Sequence, residues 1–109
     1  MKLKDGADIK GLHPCMRAVL RHSDAIWEDL GRPEGVTITA GLDGVHSAAS
    51  WHYYGLALDL RTHYFEENDV NYAVRELRKW LPAFDVVEHS THIHVEVGND
   101  LAKELGVYF

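Results

Sequence analysis

Five side chains between positions 52 and 94 of this 109-residue chain have the types and spacing to do chemistry together. In the stretch 92–97, alternation points Ile93, Val95 and Val97 one way and His92, His94 and Glu96 the other, as a half-buried strand requires. Leu56, Leu58 and Leu60 alternate in the same manner with Ala57 and Asp59. The leucines belong to a core, and Asp59 projects from the opposite face. Neutral imidazole and carboxylate oxygen are both zinc ligands, at about 2.0–2.2 Å. His94 and Asp59 on two strands, with His52 on a preceding loop, would supply three ligands from separate elements. Three protein ligands leave a fourth position for water, the pattern of catalytic rather than structural zinc sites. The ion lowers that water's pKa and polarises a carbonyl, so a carboxylate is needed to accept the proton. Glu88 ends the strand before His92, and a hairpin would let it reach the water.

The strings around these residues carry a resemblance. Ser50-Trp51-His52-Tyr53-Tyr54-Gly55-Leu56-Ala57-Leu58-Asp59 resembles the Ser-x-His-x-x-Gly-x-Ala-x-Asp signature of the D-Ala-D-Ala metallopeptidases. Glu88-His89-Ser90-Thr91-His92-Ile93-His94 is similar to the Glu-x-x-x-His-x-His segment of the hedgehog branch of that superfamily, which also includes lysostaphin-type enzymes. His46-Ser47 and Phe84-Asp85-Val86-Val87 extend the hedgehog likeness, which spans roughly residues 36–97. The resemblance implies His52, Asp59 and His94 as ligands of one zinc ion and Glu88 as general base. It implies His92 and His46 as residues lining the site, able to orient water or donate to an oxyanion. Ser50 would bind substrate or support the His52 loop, and Gly55 and Ala57 would let backbones approach closely beside the ion. The implied activity is zinc-dependent hydrolysis of short peptides, with peptidoglycan stems or cross-links as substrates. The alternative is a non-catalytic hedgehog-like binding module. Animal hedgehogs also carry an acidic calcium cluster; here only Asp43 stands in the matching place, so no calcium site is expected.

The elements that must position these residues follow from periodicity and punctuation. Met16, Val19, Leu20, Ile26, Trp27 and Leu30 recur at helical spacing between Pro14 and Gly31, which predicts a helix over 14–30. Val70, Ala73, Val74, Leu77 and Leu81 predict a second over 68–81, capped by Asn68 and closed by Pro82. Strands are expected over 36–40, 56–60, 84–88 and 92–97, and a loop over 41–51. The expected fold is α+β: one domain over residues 1–109, a mostly antiparallel sheet of about four strands, and two main helices packed on one face.

Composition narrows the partners. A formal net charge of −6 argues against nucleic acid and anionic membranes, whose binders show basic patches. No apolar run is long enough to cross a bilayer, and no export signal is expected; a cytoplasmic protein, a phage-delivered enzyme or a fragment of a longer protein all fit. The single Cys15 can form no internal disulfide and falls among core positions. A monomer acting on a peptide is expected. His13, His22, His63 and His89 read as surface or capping residues, and Glu66, Glu67 and Asp69 as favouring a helix start.

Overall fold

A computed structural model describes residues 1–43 and 50–106. The apolar periodicities become a five-stranded sheet and three α-helices. In chain order these are β1 (Lys2–Leu3), α1 (Arg17–Asp29), β2 (Thr37–Ala40), β3 (Ala57–Arg61), α2 (Glu67–Trp80), β4 (Phe84–Glu88), β5 (His92–Val97) and α3 (Asn99–Glu104), with 3₁₀ turns at Pro14–Met16 and Trp51–Tyr54. The sheet runs β1-β2-β3-β5-β4, antiparallel except for the parallel β1–β2 pair.

The α+β class and the two main helices agree with the sequence; the strand number is five rather than four. The extra strand is two exposed residues, too short to show a period. The first helix begins as a 3₁₀ turn at Pro14, with His13 Nδ1 accepting from the Cys15 amide. The second starts one residue before Asn68, with Glu66 as its cap, so Asn68 is not the capping residue. Glu67 and Asp69 sit in its first turn and Arg78 and Lys79 in its last, matching the helix dipole.

One face of the sheet carries the core. Leu58, Leu60, Ile93, Val95 and Val97 meet Met16, Val19, Ile26 and Trp27 of the first helical segment and Ala73, Val74 and Leu77 of α2. Trp27 is fully buried, and its indole N–H is satisfied by the Arg61 carbonyl at 3.3 Å and Tyr64 Oη at 3.1 Å. Cys15 packs against this core, and burial pushes its thiol pKa up. No helix among the described residues is long and apolar enough to cross a membrane.

Alternation puts Ala57, Asp59, His92, His94 and Glu96 on the other face. Register then fixes which of them meet: Asp59 pairs with His94, and Ala57 with Glu96. Beside Asp59 the β2–β3 ladder slips by one residue at Thr39. Such bulges bend a strand and redirect the chain that follows, here into Gly41.

Candidate metal centre

His52 reaches the sheet from a short turn built for the purpose. Ser50 caps the Trp51–Tyr54 turn, its hydroxyl accepting from the His52 amide at 3.3 Å. Gly55 ends the turn at φ +70°, a left-handed conformation that favours glycine. A Cβ at Gly55 would also press into the Gly11 carbonyl, so its close approach is to the segment before α1. His52 itself is 2% exposed. Its Nδ1 lies 2.7 Å from the Gly41 carbonyl, which can only accept; Nδ1 therefore carries a proton, and Nε2 is turned toward Asp59 and His94.

Three ligand atoms converge there. His52 Nε2 is 3.2 Å from Asp59 Oδ1 and 3.2 Å from His94 Nδ1, and His94 Nδ1 is 2.9 Å from Asp59 Oδ1. Among the described residues, this is the group of His, Cys, Asp and Glu side chains that could hold a metal ion. A divalent ion bonded at about 2.0–2.2 Å to nitrogen and oxygen sets neighbouring ligands roughly 3.3 Å apart. The triangle fits such an ion with little adjustment.

The charges point the same way. Burial works against ionisation of Asp59, yet hydrogen bonds from His52 and His94 hold its carboxyl well below the usual carboxylate range. Burial also opposes charge on His94, but its ring lies between Asp59 and Glu96, at 2.9 and 2.7 Å, and its pKa is raised. The spot thus favours a cation, whether a proton on His94 or a metal ion in the proton's place.

The expected neighbours separate into those the fold brings here and those it does not. His92 is brought here, with Nε2 3.8 Å from Asp59 Oδ2. Burial first, then the other histidines, lower its pKa against the pull of Asp59, which favours the neutral ring. Ser50 supports the His52 turn. His46 lies outside the described residues. Glu88 is exposed and pairs with Ile93, a core residue, so it leaves β4 on the helix side of the sheet. Tyr53 and Tyr54, 40% and 49% exposed, flank His52 in its turn.

Two residues here were not expected at the site: His89, which the sequence suggests as a surface or capping residue, and Glu96. His89 stacks on His92 with centroids 4.7 Å apart and lies edge-on to His94 at 6.5 Å. The tight hairpin, in which the His89 amide donates to the His92 carbonyl at 2.9 Å, brings them together. Glu96 Oε1 sits 2.7 Å from His94 Nε2. Strand alternation had placed it on this face but could not say which ring atom it meets. A comparison with models of known protein families finds no match, and a comparison with curated proteins finds no similar chain.

Proposed function

We propose that this protein is a zinc-dependent hydrolase of short peptides, with cell-wall stem or cross-link peptides as its substrate class. The observation that carries the reading is the triangle of His52 Nε2, Asp59 Oδ1 and His94 Nδ1 on the sheet face away from the helices. Two imidazoles and one carboxylate at near-tetrahedral spacing suit zinc, and a three-residue set leaves a coordination position for chemistry. The likeness of residues 50–59 and 88–94 to the D-Ala-D-Ala metallopeptidases supports the substrate class.

A zinc ion bound by these ligands supplies Lewis acidity toward a carbonyl and a nucleophilic water near neutral pH. The chain's own part is to hold the ion, seat the peptide and move protons. His92, neutral and partly exposed beside Asp59, is positioned to take up a proton at Nε2 and return it to the leaving amine. Glu88, the base implied by the family resemblance, would have to swing round the end of β4 to do the same. Tyr53 and Tyr54 offer apolar walls for a peptide.

The test is digestion of purified cell-wall fragments by zinc-loaded protein, followed by mass spectrometry. Cleavage that is lost in His92→Ala and retained in Glu88→Ala supports the reading; loss in Glu88→Ala alone would return the base role to Glu88. A second reading, a hedgehog-like docking module, draws support from the side of β4 on which Glu88 emerges. Zinc-loaded protein that leaves every cell-wall peptide intact would favour it.

A further inference from the structure

Glu96 is an awkward residue for its position. It stands directly opposite Asp85 across the β4–β5 ladder, and like charges in that relation disfavour the pairing. Glutamate is also a poor strand former. Local conflicts of this kind cluster where a residue serves something other than the fold. Arg78, which lines the same depression as Asp85 and Glu96, gives its Nη2 to the Val86 carbonyl at 2.9 Å. The Glu96 carboxylate is instead directed at His94 Nε2, with its side chain only 26% exposed.

We infer that Glu96 is a positioning residue of the metal centre: by accepting a hydrogen bond from His94 Nε2–H, it fixes the ring's tautomer and rotation so that Nδ1 faces His52 Nε2 and Asp59 Oδ1. The inference rests on the metal-binding reading above. A half-turn of the imidazole would carry Nδ1 away from the triangle and put a C–H in its place. The carboxylate holds the ring against that turn, as carboxylate partners of metal-ligating histidines do elsewhere. His52 is oriented the same way by a neutral acceptor, the Gly41 carbonyl. Only Glu96 adds charge, and together with Asp59 it supplies two negative charges to match a divalent cation.

Glu96→Thr tests this, because a β-branched residue suits the strand and removes the opposition to Asp85. Zinc affinity is read by competition with a chromophoric chelator, and the His94 tautomer by long-range ¹H–¹⁵N spectra of the imidazoles. The variant is expected to bind zinc about 10- to 100-fold more weakly. Its thermal unfolding without metal should be unchanged or shifted upward, and its neutral, metal-free His94 ring should move from the Nε2–H toward the Nδ1–H tautomer. Glu96→Gln, whose amide oxygen still accepts, is expected to keep the tautomer and lose less than about tenfold. Equal affinity in wild type and Glu96→Thr, or an unaltered tautomer of the neutral, metal-free His94 ring, overturns the inference. If wild type itself takes up no zinc, the metal-binding reading fails first and the inference falls with it.

Discussion

The two faces of this sheet are made by the same strands yet obey different rules. On the helix side, Leu58, Leu60, Ile93 and Val95 are wholly buried and interchangeable in kind, since any well-packed apolar set would serve. On the other side, Asp59, His92, His94 and Glu96 are half-buried and specific in atom, because Asp59 Oδ1, both His94 ring nitrogens and Glu96 Oε1 each have a set partner. The first face accounts for the stability of the fold. The second places like charges and lone pairs against one another, which a fold alone would not select.

The comparison breaks if changes on one face carry through to the other. The largest separation is expected at Asp59. Asp59→Ala should weaken zinc binding at least about 1,000-fold, since one of three ligands is lost and structural zinc sites of four ligands bind with an apparent energy of about 10–16 kcal/mol. Chelator competition gives the affinity, and a metal-free melting curve should still show a cooperative fold, with the midpoint lowered by the lost contribution of ionised Asp59. Trp27→Ala is the mirror experiment. It should lower unfolding free energy by about 3–5 kcal/mol in a denaturant titration while the folded fraction binds zinc with unchanged affinity.

A smaller effect sharpens the picture through pH. The two carboxylates flanking His94 raise its pKa above 6.5, and zinc must displace that proton. Affinity should therefore be full above the raised value and fall as pH drops through it, approaching tenfold per unit for one displaced proton. Without metal the sign for stability reverses: the contribution of His94 is complete below 6.5 and is lost as pH rises through the folded value. Asp59 behaves oppositely, its contribution present above 3.8 and lost as acid titrates it in the folded protein. Zinc titrations and melting curves at a series of pH values would read both.

Alternation in 56–60 and 92–97 made the site's face legible, because a period of two leaves no freedom about which side Asp59 and His94 occupy. Helices α1 and α2 were legible for the parallel reason at a period of 3.6. Hairpin register was not. Glu88 is near His92 in sequence, but pairing it with Ile93 rather than with His92 or His94 moves its side chain through the sheet, and no residue pattern in 88–94 dictates that choice. The same register places His89 beside His92. β1 and α3 escaped notice because two and six residues are too few to establish a period.

Gly41 ties the candidate metal centre to a distant part of the chain. Its amide and that of Asp8 share Asp43 Oδ1, at 2.9 and 2.7 Å, and the Leu42 amide donates to the Asp8 carbonyl at 2.7 Å. A Cβ at Gly41 would collide with that same carbonyl, so the two strands of backbone lie in direct contact. The amides of Asp8, Gly41 and Leu42 are therefore expected to open together in hydrogen exchange, and the peptide oxygen that orients His52 is part of the same contact. Locking His52 on a metal ion should slow exchange at all three amides together, carrying occupancy of the sheet's far face through the Gly41 carbonyl to Asp8.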